Sequence, residues 1–294
     1  MSARGVVHHL WDHERFLSTG ALFPVEITDD PWVLYHGTSA EYSDAIERCG
    51  LQWQPGVYTR ADVVAVMRAF YMLRWDGASG QGAATLRSFT QNDFGAASSK
   101  PVYLAETAWR ASRYGTRECS GGETASALRD ALNDLLLYLA DPAVRDAHQR
   151  ANPADFTSLE RPWPEIAELA GSREIFDLPD EQRARWVEAQ LAKLVRIQAN
   201  CAASWIRYRH GVVYAVRIVP SDRQAVTPRR AGGFEWHGKI DGERLIGKVD
   251  LPPNYERIID LYRDPPQEFV RRYKTPRLWD SCRAEGSVRG FEGT

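Results

Sequence analysis

Three separated stretches of this 294-residue chain hold side chains that do chemistry when they meet. The first is His36-Gly37-Thr38-Ser39. An imidazole that can donate or accept a hydrogen bond precedes a glycine, where main chain can approach a ligand because no Cβ intrudes. The second is Tyr103, with Tyr114 eleven residues later. Two phenol rings can wall a flat aromatic group. The third is Glu243, in Gly242-Glu243-Arg244. A carboxylate there can counter a positive charge that develops during reaction. Taken singly, each stretch has a plain structural reading: a turn, a core tyrosine, a surface glutamate. They make one site only if the fold turns them toward one cleft.

The elements that must position them are legible in outline. Trp32 to Gly37 has the β-branched and aromatic content of a strand. Thr38 or Ser39 can cap a helix whose apolar positions Tyr42, Ala45, Ile46 and Cys49 recur at helical spacing, and Gly50 ends it. Thr59 reads as the N-cap of a helix over about 60–75. Pro101 to Ala105 reads as a strand, followed by a helix from about Thr107 to Tyr114 with Gly115 as its stop. From Glu123 to Cys201 helix predominates. Leu128, Leu132, Leu135, Leu136 and Leu139 form one stripe, and Trp186, Leu191, Leu194 and Ile197 another; both read as core. Ser204 to Val219 reads as two strands turning at His210-Gly211, Glu243 to Val249 as a short strand, and Tyr255 to Tyr262 as a final strand or helix. Asp76 to Lys100, rich in Gly, Ser, Ala and Asn, reads as a long loop, of the kind that often carries function. Residues from about 275 read as a loosely held tail.

Composition narrows the classes. The chain is 44% hydrophobic and 26% charged, ordinary for a globular protein. The four cysteines are scattered, and no Cys/His spacing suits zinc, so neither a disulfide framework nor a metal is expected. His9 and His13 can share a helix face, but no third ligand lies nearby. A net charge of −2 gives no global pull toward nucleic acid. The first residues lack the charged head and apolar run of a signal peptide, and no apolar stretch is long enough to span a bilayer. A cytoplasmic protein with no membrane partner is expected.

Together and in this order, the stretches resemble the ADP-ribosyltransferase superfamily in its His-Tyr-Glu branch, which includes the poly(ADP-ribose) polymerases and diphtheria-type toxins. Leu34-Tyr35-His36-Gly37-Thr38-Ser39, then Ala45-Ile46 and Gly50-Leu51, look like the family's strand-His-Gly-Thr/Ser, helix, Gly-Leu opening. Val102-Tyr103-Leu104-Ala105 with Tyr114 is similar to its pair of tyrosines. Gly242-Glu243-Arg244-Leu245-Ile246 looks like the strand that carries its glutamate. Glu235, eight residues earlier, and Glu256 are the other carboxylates considered. The sequence departs from the polymerase pattern at Ala111, where a small hydroxyl residue is usual, and Ser112 stands next to it.

The resemblance implies an α+β fold: a split antiparallel β-structure around an NAD cleft, with a helical insertion over about 123–200 in one domain spanning 1–294. It implies NAD as substrate. Glu243 would stabilise the positive charge that builds on the ribose as the nicotinamide bond breaks, as in an oxocarbenium-like glycoside cleavage. His36 would bond a ribose hydroxyl, and the main chain at Gly37 the nicotinamide amide. Tyr103 and Tyr114 would wall the ring, with Ser112 beside it, and Thr38 or Ser39 would meet the adenosine side. The expected activity is mono-ADP-ribosyl transfer to a macromolecular acceptor, since no stretch resembles the second ADP-ribose site of a polymerase. The acceptor is a protein, or DNA or RNA as in toxin and phage-defence members. A neutralising antitoxin is among the partners this implies. For acceptor contact, Arg229, Arg230, Glu235, Trp236 and His237 form a stretch of charges and aromatics ahead of Glu243. An RNA 2′-phosphotransferase and a silent NAD- or ADP-ribose-binding module are the alternatives.

Overall fold

A computed structural model describes residues 6–53, 58–73, 75, 101–116, 123–150, 178–228 and 233–261. The chain is α+β and divides into two compact units. The first takes Met1–Trp53, Ser98–Ser120 and Tyr208–Thr294; the second takes Gln54–Ala97 and Gly121–Arg207. The expected insertion over about 123–200 is thus part of a larger helical unit that also draws on chain upstream of Tyr103. The Asp76–Lys100 stretch and the tail lie outside the described residues.

The first unit holds two sheets. Strand β1 (Val7–His9) is followed by short helices α1 (His13–Thr19) and α2 (Val25–Thr28), then β2 (Val33–Ser39), a 3-10 turn (Ala40–Tyr42) and α3 (Ser43–Cys49). His9 therefore lies in a strand and His13 opens a helix, so they share no helix face. After β3 (Val102–Leu104) comes α5 (Ala108–Tyr114), α4 belonging to the second unit. The chain returns with β4 (Gly211–Arg217), β5 (Val226–Pro228), β6 (Phe234–Trp236), β7 (Leu245–Asp250) and α9 (Tyr255–Leu261). One sheet has the order β1-β7-β4-β2 and the other β3-β6-β5. All pairs are antiparallel except β1 with β7. The sheets meet where Tyr35 N–H donates to Ala105 O at 2.9 Å and Ala105 N–H to Tyr35 O at 2.7 Å.

Alternation along β2 and β4 divides the core in two. On one face Tyr35, Val213, Ala215 and Val249 pack with α5 and with Phe16, Phe23, Tyr255 and Ile258. On the other, Leu34, Val212, Tyr214, Val216 and Leu245 pack with Val102, Leu104, Phe234 and Trp236 of the second sheet. β4 is buried on both faces, which explains its uninterrupted apolar run.

Among the described residues, the second unit holds α4 (Arg60–Leu73), α6 (Glu123–Ala140), α7 (Pro142–Arg150) and α8 (Asp180–Arg207). Its core joins Val63, Val66, Met67 and Phe70 to Leu128, Leu132, Leu135, Leu194 and Ile197, the stripes that the helical period marks out. Thr59 and Asp62 form a reciprocal cap at the start of α4: Asp62 N–H donates to Thr59 Oγ1, and Thr59 N–H to Asp62 Oδ2. One expectation fails here. Ser204 to Arg207 is not a strand but the last turn of α8. A helix already propagated over more than twenty residues extends at one hydrogen bond per residue, which outweighs the local strand preference of Trp205 and Ile206.

A candidate nucleotide site where the two sheets meet

The site starts with β2. In an antiparallel ladder, alternate residues direct both backbone groups to the same neighbour. Tyr35 exchanges both of its bonds with Ala105, so Gly37, two residues on, turns its N–H and C=O toward the same edge. This is the edge where the first sheet gives way to the second. Gly37 also accepts close cover on its Cα side. A Cβ built there would stand 1.7 Å from the carbonyl oxygen of Ala111, in α5. Only glycine lets α5 lie this close.

His36 projects to the other face and is half-buried. Its Nδ1 lies 2.9 Å from the main-chain oxygen of Tyr103. A carbonyl only accepts, so Nδ1 carries the proton, and in the neutral ring Nε2 is left as an acceptor. Desolvation lowers the His36 pKa from the ordinary 6.5, and the bond to Tyr103 works against that shift. The neutral ring is therefore the resting form at pH 7.

Tyr103 lies on β3 between buried Val102 and Leu104 and is itself 43% exposed. Its partner across the ladder is Glu235 on β6, whose next neighbour is Thr227 on β5. The three side chains form one row on the face of the second sheet away from the core, with Cβ atoms of neighbours roughly 5 Å apart. Glu235 is half-buried, flanked by core residues Phe234 and Trp236. His237 follows on the same face, with Nε2 4.0 Å from Glu235 Oε2. Its N–H donates to Ala225 O, which carries the β5–β6 ladder one residue further. Tyr114 ends α5, the helix that covers Gly37.

The His36 ring thus reaches the Tyr103 main chain, Tyr103 faces Glu235 across the ladder, and Tyr114 ends the helix that covers Gly37. Glu243 is not part of this set of contacts. That residue is exposed in a 3-10 turn (Gly242–Arg244) that docks at the end of α3, where Gly50 at φ 80 approaches Ile240 O. The turn leads into β7, which β4 separates from β2. Two strand spacings, roughly 10 Å, lie between them before any offset along the strands is added. His36 shares its row with Tyr214 and Lys248, whereas Glu243 precedes the row of Leu34, Val216 and Leu245. Strand pairing thus sets Glu235, and not Glu243, opposite Tyr103.

Further corrections follow from burial. Ser112 has no exposed surface. Its hydroxyl donates to Trp109 O at 2.6 Å and also bonds the Tyr255 hydroxyl, so it belongs to the core and not to a ligand. Ser39 is buried and accepts from Glu41 N–H, which makes it the cap of the 3-10 turn. Thr38 is half-buried on the His36 side of β2 and remains a candidate. Trp236, 6% exposed, packs in the core between the sheets and offers no face to a base. Arg229 and Arg230 lie outside the described residues. β5 and β6 themselves escape sequence reading: three residues each are too few to establish a period, and Phe-Glu-Trp carries the only alternation.

Comparison with protein-family models, with curated proteins and with solved structures found no match to this chain. Among the described residues, no helix is long and apolar enough to cross a membrane.

Proposed function

We propose that the first unit binds NAD where its two sheets meet and transfers ADP-ribose to an acceptor with release of nicotinamide, Glu235 serving as the carboxylate. The observation that carries this reading is the chain of contacts that links His36, Tyr103 and Glu235. The His36 ring bonds the Tyr103 main chain, and Tyr103 faces Glu235 across the ladder. The split between two largely antiparallel sheets, falling between the histidine strand and the tyrosine strand, also supports the reading.

The division of labour follows from the chemistry. The unprotonated Nε2 of His36 accepts from a ribose hydroxyl. The backbone groups of Gly37 suit a primary amide, which offers both a donor and an acceptor. Tyr103 and Tyr114 give the nicotinamide ring its aromatic contacts. Glu235 counters the charge that grows on the ribose as the C1′–N bond lengthens. This position also speaks against a silent binding module, which would need no carboxylate there.

The test is nicotinamide release from labelled NAD by the purified chain. Glu235→Gln lowers the rate by about 10²–10³-fold, whereas Glu243→Gln leaves it near that of the unaltered chain. The opposite pattern would remove Glu235 from the site. Incubation with a cell lysate, split between protease and nuclease treatment, then identifies the acceptor class. Product length on a gel tests for mono-transfer, and long ladders would overturn it.

A further inference from the structure

We infer that His237 is the general base of the acceptor half of this reaction, and that the acceptor's attacking atom is a hydroxyl oxygen. The inference rests on the proposed NAD chemistry and deepens it.

His237 is two residues beyond Glu235 on extended backbone, so both side chains leave the same face, the face that also carries Tyr103 and Thr227. Its backbone is held by the bond to Ala225 O, and its ring is 49% exposed. Nε2 faces Glu235 Oε2 at 4.0 Å. At this distance the two groups are within ion-pair range, so the carboxylate can face the ring when it takes up a proton, and either ring nitrogen can be the one that accepts it. Glu235 on its own strand and Tyr103 on β3 share this face with His237, and Lys239 and Asp241 pair with each other further along.

The C1′–N bond of NAD breaks, and its electron pair leaves on the nicotinamide nitrogen, which becomes neutral. A lone pair of the acceptor oxygen forms the new bond to C1′. The hydroxyl proton passes to the His237 ring and from there to solvent. Glu235 first faces the ribose cation and then the imidazolium, so one carboxylate covers both stages.

An imidazole in this place also selects the acceptor. A carboxylate or thiolate nucleophile has no proton to lose. A guanidinium stays protonated at every working pH and has no lone pair to offer until it is deprotonated. A hydroxyl is nucleophilic while neutral and sheds its proton as the bond forms, within reach of a histidine base.

The experiment uses two small nucleophiles with NAD and the full chain: methanol, which must lose a proton, and azide, which has none. For His237→Ala, methyl-ADP-ribose formation falls by about 10²-fold, and azide restores nicotinamide release toward the rate of the unaltered chain with azide. His237→Gln, which keeps a polar group but cannot take up the proton, behaves the same way. Azide does not restore Glu235→Gln. Formation of the methyl product by His237→Ala or His237→Gln at the unaltered rate overturns the inference, as does failure of azide to rescue either variant. Absence of nicotinamide release by the unaltered chain with either nucleophile removes the underlying NAD reading instead.

Discussion

His36 rests as a neutral ring, and its surroundings keep it so. Burial disfavours the imidazolium, and the Tyr103 carbonyl only partly offsets this. The sign of the pH effect follows. With the folded pKa below 6.5, the unfolded chain binds more protons than the folded one between the lowered value and 6.5. In that window this group's contribution to stability falls as pH falls. Ligand binding follows the same group, because protonation converts the Nε2 acceptor into a donor. The Kd for NAD is therefore flat near neutrality, and its acid limb has a midpoint below 6.5. A midpoint above 6.5 that disappears in His36→Gln would contradict the assigned tautomer. Tyr255 makes a different kind of contribution. Desolvation raises its pKa, and it holds Ser112 from the core side of α5, so it remains a phenol at all working pH values.

At the scale of elements, the site depends on how closely α5 lies on β2. Two glycines permit the contact. Gly37 meets Ala111 O, and Gly211 on β4 meets Gly115 O, where a Cβ would stand only 2.0 Å away. In both cases the obstacle is backbone, which cannot rotate aside as a side chain would. Gly37→Ala must push α5 off the strand. The expected cost is about 1–3 kcal/mol, at the upper end for an overpacked core. Because α5 carries Tyr114, KM for NAD rises as well. Chemical denaturation and substrate titration measure the two effects, and an unchanged KM in a destabilised variant would separate α5 from the binding site. Gly233 performs a related service for β6. It sits at φ 80, and a Cβ there would approach Leu104 O at 2.7 Å, so glycine lets the chain turn tightly into the strand that carries Glu235.

At the scale of the whole molecule, every residue assigned to the site belongs to one unit, and the helical unit has its own core. Leu132 is fully buried there, among Val63, Leu128 and Leu135. Leu132→Ala removes about 2–5 kcal/mol from that core. If the units unfold separately, calorimetry shows one transition moving down while the other holds its temperature. A single transition that shifts as a whole would mean that they melt as one. The helical unit is built from two chain segments that interrupt the sheet-bearing unit, Gln54–Ala97 and Gly121–Arg207. Its removal therefore takes two excisions, with the Tyr103 segment retained between them.

Much of this architecture is written locally. The buried strands β2 and β4, the leucine stripe of α6, the Thr59 and Thr107 caps and the stop at Gly115 all follow from signals a few residues long. His36-Gly37 and Tyr103 could be named for the same reason: each sits in a strand whose own composition marks it. The carboxylate could not. Glu243 precedes the clearer strand, Leu245–Asp250, while Glu235 sits in a strand of three residues between two glycines and a turn. Strand pairing joins residues more than a hundred positions apart, as Tyr103 with Glu235, and no local period encodes which strand will be the partner. The sequence by itself determined many of the elements and the residue types of the proposed site. Only the tertiary pairing decided which glutamate stands opposite Tyr103.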